Sequence, residues 1–528
     1  MTKIQMNQPA DAMARRNGWQ DRRPGLIALA AGGLSATGFE PLHLWPVTLI
    51  ALALLIALLW RAESGRVAAR IGYAFGLGQF VIALNWIAHA FTFQDNMPAW
   101  LGYVSVVLLS FYLALYPAMA AFIGWTLGRG RPRLFVLFFA CAWLLTEFLR
   151  AAIFTGFAWN PLGVIWLGTG IDQLAAVIGS YGLSLIAVLA AGALWWLGYR
   201  QWRQAGAVLS GLAIAGLIGL WTAGRPPVTH GTPVQIRVVQ PNINQNEKYD
   251  AQLEELNFRR LAGLTGAPGP QPRLIFWPEA AVPAILDMEP AWRGRIASLL
   301  GPDDLLMLGG DKYHYATSDT AIDARRLEGA NNSLWVLDAR GELLGRYDKA
   351  HLVPFGEYLP MRALLKAIGL SKLVPGDVDF WPGPGPRTLP LPALDGRSAL
   401  NMAVQICYEI IFPGQVVDRR HRPDFIFNPS NDAWFGSWGP PQHLAQARLR
   451  AIEEGLPVIR STPTGISALV DARGRVLARI GHHGAGAFSG RLPAPSMPTP
   501  FARAGNAIPL GLAVLLLCGG VAIGRRNR

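Results

Sequence analysis

The segment Leu400-Asn-Met-Ala-Val-Gln-Ile-Cys-Tyr-Glu409 starts as an apolar strand pattern and breaks at a thiol, Cys407. This break predicts a sharp turn at the end of a buried strand, which is where a nucleophilic side chain can be presented. The other two cysteines, Cys141 and Cys518, lie inside long apolar blocks. The three cysteines predict no disulfide framework, and the alternative interpretation of Cys407 is a small buried hydrophobe.

Two charged residues precede the thiol at the ends of other predicted strands: Glu279 and Lys349. A free thiol has a pKa of about 8.5 and is mostly protonated at neutral pH, so a catalytic cysteine needs a base or a positive field. Glu279 would accept the proton, and Lys349 would stabilise a negative oxygen, a role in which losing one donor costs about 3 kcal/mol. Taken separately, each of the two is weak evidence, since a Glu or Lys at a strand end is usually a solvated charge. The order Glu, Lys, Cys predicts a thiol enzyme that cleaves amides or esters.

Strand-like and helical patterns alternate around these three residues. Together they predict a layered α/β sandwich, with strands at 234–240, 273–277, 305–308, 333–337, 343–347, 399–406, 425–428 and 457–462, helices at 251–264, 291–300 and 443–455, and a hairpin at 466–471 and 475–480.

The motifs around the three residues resemble those of the nitrilase superfamily of carbon–nitrogen hydrolases. The matching segments are Phe276-Trp-Pro-Glu279, Tyr347-Asp-Lys349 and Gln405-Ile-Cys-Tyr-Glu409. The resemblance implies an αββα sandwich with a Glu279–Lys349–Cys407 triad. The continuation from His351 to Pro360 is also similar, and it implies that Glu357 is the second glutamate beside the lysine. Tyr408 and Glu409 are expected to support catalysis near the oxyanion.

Eight apolar blocks predict a membrane region. The chain has 528 residues, of which 52% are hydrophobic and 15% charged. Because a spanning helix needs about 20 apolar residues, the blocks predict about eight transmembrane helices, the first and fifth blocks being the least secure candidates. The blocks lie at 26–38, 46–60, 71–91, 101–127, 134–149, 174–197, 205–221 and 507–524.

The placement of Lys and Arg predicts the topology of these helices, because these residues accumulate in cytoplasmic loops. Basic residues concentrate in alternate connections, and the loops 39–45 and 92–100 contain none. Both termini are therefore expected in the cytoplasm. The predicted order is a tail at 1–24, helices at 25–224, a periplasmic catalytic domain at 225–491, a linker at 492–506, a helix at 507–524 and a tail at 525–528.

The formal net charge of +13 also has its source in this topology. The predicted cytoplasmic segments contain sixteen Lys and Arg residues and three acidic residues. These segments therefore account for the whole net charge, and the rest of the chain has equal numbers of basic and acidic residues. The charge thus gives little support to a nucleic-acid partner. The polar first 25 residues show no cleavable signal peptide, and the nine histidines show no convincing metal-ligand spacing, so neither metal nor cofactor is expected.

A nitrilase-like domain between seven upstream helices and one downstream helix resembles the apolipoprotein N-acyltransferase family of bacterial inner membranes. Further likeness lies in the segments Gly38 to Pro46, Glu147-Phe-Leu-Arg150 and Phe154 to Trp159. One departure is Tyr249, where the family often has tryptophan, so an indole-specific contact is in doubt.

This resemblance implies a ping-pong reaction by a monomer. Cys407 would take an acyl chain from a phospholipid, with phosphatidylethanolamine the expected donor, as a thioester. It would pass the chain to the α-amino group of the diacylglyceryl cysteine of an apolipoprotein. Water must be kept from the thioester, and the loops that carry Trp381, Trp434 and Phe435, together with Tyr249, are candidates for substrate contact.

Two questions stay open at this stage. The polar pairs Glu147 with Arg150 and Asn85 with His89 lie in apolar blocks, where they either serve function or satisfy each other. The alternative enzyme is a membrane-tethered amidase or nitrilase that releases a free acid. A transporter or assembly scaffold with an inert nitrilase-like domain is the alternative outside enzymes, and the complete triad argues against it.

Overall fold

The computed structural model describes residues 23–93, 98–226, 233–248, 250–316, 327–362, 367, 379–394 and 397–526. Helices form the region before residue 224, and they are α1 (Pro24–Ser35), α2 (Trp45–Trp60), α3 (Gly65–Ala83), α4 (Leu101–Leu113), α5 (Leu115–Gly128), α6 (Pro132–Ala152), α7 (Ala175–Gly198) and α8 (Trp202–Ala223).

An α/β domain follows. Its strands are β1 (Gln235–Gln240), β2 (Arg273–Phe276), β3 (Leu305–Tyr315), β4 (Leu327–Asp338), β5 (Leu343–Asp348), β6 (Thr388–Leu391), β7 (Leu400–Val404), β8 (Phe425–Pro429), β9 (Val458–Ser461), β10 (Ser467–Val470), β11 (Val476–Ile480) and β12 (Gly486–Arg491). Its helices are α9 (Gln245–Lys248), α10 (Glu254–Thr265), α11 (Pro290–Ala297) and α12 (Gly439–Glu454), after which α13 (Pro500–Ala504) and α14 (Ala507–Arg526) end the described chain.

All eight predicted apolar blocks are helical, but they differ in length. Among the described residues, five helical segments are long and apolar enough to cross a membrane, and α3 with the bent turn Asn85–Phe93 makes a sixth if the pair is one span. The helices Pro24–Gly38 and Trp45–Trp60 are shorter. The protein is therefore a membrane protein whose described residues form five or six helices of spanning length. The predicted count of eight is not confirmed, since it requires both shorter helices to cross. The fifth block was one of the two least secure candidates for a spanning helix. It belongs to the 21-residue helix α6, which is long enough to span.

The α/β domain contains two six-stranded sheets. Their strand orders are β12-β1-β2-β3-β4-β5 and β11-β10-β9-β8-β7-β6, with parallel pairing of β1 with β2, β2 with β3, β7 with β8 and β8 with β9. Apolar side chains from both sheets fill the space between them, for example Phe276 and Phe427, whose ring centroids are 4.8 Å apart. This is the αββα arrangement that the resemblance to the nitrilase superfamily implied.

The two outer helix layers have different surroundings. Helices α10 and α11 cover the first sheet, through Phe258, Leu261 and Ile296. Helix α12 covers the second sheet, and its buried side chains belong to the same apolar cluster as the membrane helices. The catalytic domain therefore packs directly on the membrane region through its fourth layer.

Strand prediction was correct for the buried strands and missed two at the sheet edges. The missed strands are β6, which contains Pro390, and β12, which contains Gly486 and Gly490. Proline and glycine weaken a strand pattern, and an edge strand tolerates them because one side needs no partner. Strand β3 also continues past Leu308 into a polar segment, because β4 pairs with it along its length.

Candidate active site

The predicted triad lies just after three strand ends. Glu279 follows β2, Lys349 follows β5, and Cys407 follows β7 of the other sheet. The lysine is anchored through its backbone, because its N–H donates to the carbonyl oxygen of Asn332 at 2.9 Å. All three side chains are buried. Packing of the two sheets therefore brings their strand ends together at one site.

Lys349 is held between two carboxylates. Its Nζ lies 2.9 Å from Oε1 of Glu357 and 3.8 Å from Oε1 of Glu279. Burial acting alone would lower the pKa of Lys349, but the charges of Glu357 and Glu279 outweigh burial and raise it well above its ordinary value. The ammonium group therefore stays charged at neutral pH, as an electrostatic role beside a developing oxyanion requires.

Asn332 joins the two carboxylates. Its Nδ2 donates to Oε1 of Glu279 at 2.7 Å and to Oε1 of Glu357 at 2.9 Å. Glu357 is held further by the backbone N–H of Val353, which donates to Oε2 at 2.8 Å. The sequence analysis missed Asn332, since an asparagine within a strand carries no recognisable signal until its partners are known.

Cys407 sits in a strained backbone conformation. Its φ of +51° lies in the left-handed region, which residues with a side chain rarely adopt, and the side chain is buried. Burial and, to a lesser degree, the charge of Glu279 raise the pKa of the thiol to about 12, while Lys349 and a hydrogen bond with Ser430 act in the opposite direction. The resting thiol is thus protonated and needs a base, and Glu279 is the carboxylate beside it.

Glu409 and Tyr408 hold the cysteine turn in place through their side chains. Oε1 of Glu409 accepts from the Tyr347 hydroxyl at 2.9 Å and from the backbone N–H groups of Ala350 and His351, at 2.7 and 3.1 Å. Its Oε2 accepts from the N–H of Ile406 at 2.7 Å. Glu409 therefore ties the cysteine turn to the chain after Lys349.

Tyr408 makes a different connection. Its hydroxyl donates to the carbonyl oxygen of Gly156, in the loop that follows α6, at 3.2 Å. In this geometry, the Tyr408 side chain links the cysteine turn to the membrane region. The expected support of catalysis by Tyr408 and Glu409 stays a prediction.

The candidate substrate loops have different surroundings. Phe435 packs on Trp86 and Trp159 of the helical region, with ring centroids 4.6 and 5.5 Å apart, and Trp434 meets Phe93 at 5.5 Å. These two residues therefore join the α/β domain to the helical region. Trp381 stacks on a histidine ring at 4.9 Å and stays 41% exposed. Tyr249 lies outside the described residues.

The polar pair in α6 braces a neighbouring loop. Glu147 accepts from the N–H of Leu162 at 2.8 Å, and Arg150 donates to the carbonyl oxygen of Trp159 at 2.9 Å. The two charged groups are 4.0 Å apart. His89, by contrast, is exposed and packs on Phe93. Within the described ranges, no group of three or more His, Cys, Asp and Glu side chains is arranged to hold a metal ion.

Comparison with known proteins identifies the family. Residues 31–194 match the apolipoprotein N-acyltransferase N-terminal domain, and residues 235–488 match the carbon-nitrogen hydrolase domain. The apolipoprotein N-acyltransferase of Rhodopseudomonas palustris is 35% identical over 523 residues, which cover 95% of this chain and 94% of its own. That of Bradyrhizobium diazoefficiens is 36% identical over 94% of this chain and 95% of its own.

The chain belongs to the apolipoprotein N-acyltransferase family. A third member, from Caulobacter vibrioides, is 36% identical over 93% of this chain and 92% of its own. Among solved structures, Saccharomyces cerevisiae Nit3, of the nitrilase superfamily, aligns with 50% of this chain and 90% of its own at 18% identity, with a TM-score of 0.33. The family assignment rests on the sequence matches, which span both regions of the chain.

Proposed function

We propose that this family member moves a fatty acyl chain from a phospholipid, through a thioester on Cys407, to the α-amino group of a lipoprotein's N-terminal diacylglyceryl cysteine. Family membership along nearly the whole chain supports lipoprotein N-acylation. The observation that supports the thioester route is the buried cluster of Glu279, Lys349 and Glu357 beside a buried, strained cysteine.

In the first half-reaction, Glu279 takes the thiol proton while the sulfur attacks the carbonyl carbon of the donor ester. Lys349 stabilises the oxyanion of the tetrahedral intermediate. The ester C–O bond then breaks, and the proton on Glu279 passes to the leaving glycerol oxygen. The products are a lysophospholipid and an acyl thioester on Cys407, with Glu279 again ionised.

In the second half-reaction, the α-amino group of the acceptor attacks the thioester carbon. Glu279 accepts a proton from the attacking nitrogen, the C–S bond breaks, and the proton returns to the cysteine sulfur. The product is an amide. Water competes with the amine, and burial of Cys407 limits that competition.

The proposal includes the setting of the reaction. The α/β domain faces the periplasm at the inner membrane, both termini lie in the cytoplasm, and the enzyme acts as a monomer without a cofactor. The alternation of basic loops supports this orientation. Phosphatidylethanolamine is the proposed donor.

The decisive experiment is capture of the acyl-enzyme. The purified full-length protein is incubated with phosphatidylethanolamine, digested, and analysed by mass spectrometry for a peptide in which Cys407 carries one acyl chain. Addition of a diacylated lipopeptide should discharge the enzyme and add the same mass to the peptide amine. Release of free fatty acid without that gain would favour the hydrolase alternative, and an acyl chain that never appears on Cys407 would refute the proposal.

Substitutions at the three triad positions provide a second check. Cys407→Ala should form no thioester, and Glu279→Gln and Lys349→Met should each reduce acyl transfer at least about 100-fold, because each removes a group that acts in the transition state. Glu342→Gln, at an exposed carboxylate, is the matched control and should keep full activity. A wild-type rate in any of the three triad variants would contradict the role assigned to that residue.

A further inference from the structure

A buried polar network contacts the backbone of the cysteine turn. Its side chains belong to Asn428 in β8, Asp432 in the following turn, His443 in α12 and Arg460 in β9, and all four are fully buried. Burying so many polar groups is costly unless they bond to one another. Arg460 accordingly places Nη2 2.6 Å from each carboxylate oxygen of Asp432.

His443 connects this network to the thiol residue. Its Nε2 lies 3.0 Å from the carbonyl oxygen of Cys407. A carbonyl oxygen only accepts hydrogen bonds, so the proton of this bond is carried by Nε2. On the opposite side of the ring, Nδ1 lies 2.9 Å from Nη2 of Arg460 and 3.0 Å from Oδ1 of Asp432. The ring is therefore fixed at both nitrogens.

The backbone at Cys407 needs such support. A left-handed conformation at a residue with a side chain is strained and persists only where the surroundings impose it. The carbonyl that His443 holds belongs to the peptide unit directly after the Cys407 α-carbon. If that bond is lost, the peptide unit can rotate, and rotation changes the position of the sulfur relative to Glu279 and Lys349.

We propose that His443 is a positioning residue for acyl transfer: its Nε2–H holds the Cys407 carbonyl and thereby aims the thiol. The inference rests on the proposed function of Cys407 as the nucleophile. Burial, with the charge of Arg460 adding to it, lowers the pKa of His443, so the ring acts as a neutral hydrogen-bond donor.

The His443 ring also contacts the helical region. Its centroid lies 5.2 Å from that of Trp159, and the neighbouring Gln442 accepts from the Trp159 indole N–H at 2.8 Å. The geometry of the thiol thus depends on a residue that packs on the loop after α6.

Two substitutions of His443 separate this role from general stability. His443→Gln places an amide donor near the position of Nε2, whereas His443→Asn is shorter and keeps an amide only near Nδ1. His421→Asn, at an exposed histidine, is the control. All variants are full-length and carry Cys141→Ala and Cys518→Ala, so that labelling reports Cys407 alone.

Two rates are measured: alkylation of Cys407 by iodoacetamide, and formation of the acyl thioester from phosphatidylethanolamine. His443→Asn should slow both about 100-fold, as a displacement of about 1 Å does at a reacting centre, with kcat reduced and KM unchanged. His443→Gln should recover most of the lost rate. His421→Asn should match the parent protein.

The proposal is overturned if folded His443→Asn reacts as fast as the parent, or if His443→Gln is as slow as His443→Asn. Should His443→Asn fail to show a thermal unfolding transition, His443→Met replaces it, since methionine has the length of glutamine without a donor. Alkylation needs no lipid, so it still reports on thiol positioning if acylation of Cys407 fails and the proposed function is wrong.

Discussion

In the proposed mechanism, single side chains in the site have opposite electrostatic tasks. Lys349 must stay charged, and its two carboxylate neighbours keep it so, although burial acts against the charge. Cys407 must stay neutral until substrate arrives, and burial with the nearby Glu279 keeps the thiol protonated by raising its pKa to about 12. A resting thiolate would be exposed to oxidation and alkylation, so the arrangement delays ionisation until the base and an electrophile act together.

The rate of Cys407 alkylation should therefore depend steeply on pH. Because the folded-state pKa of the thiol is raised, the thiolate fraction and the rate should rise about tenfold per pH unit between about pH 7 and pH 10. Lys349→Met should slow labelling at every pH in this range, since the lysine charge lowers the thiol pKa. The measurement is iodoacetamide labelling in the Cys141→Ala, Cys518→Ala background, and a rate that levels off below pH 8 would contradict it.

Helix α12 joins the catalytic domain to the membrane region. Gln442 on this helix accepts from Trp159 and from Asn160, and it donates to the backbone of the helical region at Glu40. Glu453, near its C-terminal end, accepts from the backbone N–H and hydroxyl of Ser180 at 2.7 and 2.8 Å. The helix is thus a shared layer between the two regions, and its polar groups have partners on both sides.

Disruption of the buried pair at the end of this helix should destabilise the protein strongly. Arg450 and Glu453 are buried and 2.8 Å apart, so Glu453→Gln leaves an uncompensated charge at a cost of about 3–5 kcal/mol. Glu255→Gln removes the exposed partner of Arg259 and should cost about 0–1 kcal/mol. Thermal unfolding in detergent compares the two variants, and equal shifts of the unfolding midpoint would contradict the expected difference.

The chain combines two structural classes, and one apolar cluster crosses the boundary between them. Membrane helices, α12 and one face of the second sheet share a single buried cluster. A catalytic domain fixed in this way has little freedom to turn relative to the helices. Substrates that are themselves anchored in lipid would then meet the thiol in a defined orientation.

The proposed orientation in the membrane makes a direct prediction. In a cysteine-free background, Glu342→Cys in the α/β domain should react with a membrane-impermeant maleimide in intact spheroplasts. Arg200→Cys, in a predicted cytoplasmic loop, should react only after lysis. The opposite pattern would place the catalytic domain in the cytosol and would remove it from its proposed substrates.

The amino-acid sequence was sufficient to predict the buried strands and the apolar helices, and it placed Glu279, Lys349 and Cys407 at strand ends, where the structure has them. Each of these depends on a local pattern: an apolar run that ends at Glu279, Lys349 or Cys407, or a long block without charge. Those patterns exist because a buried strand or a membrane helix must be apolar along its own length. The resemblance to the family motifs then predicted that Glu357 lies beside Lys349, and the structure places its carboxylate 2.9 Å from the lysine Nζ.

The tertiary structure was needed for the residues that act through distant partners. Asn332 acquires a role only when Glu279 and Glu357 fold around it, and His443 only when α12 packs behind the cysteine turn. Strand β12 likewise pairs with β1 from the far end of the domain. Hydrogen bonds between segments that are far apart in the chain leave no periodic trace in the sequence, because their geometry is set by the packing of complete layers.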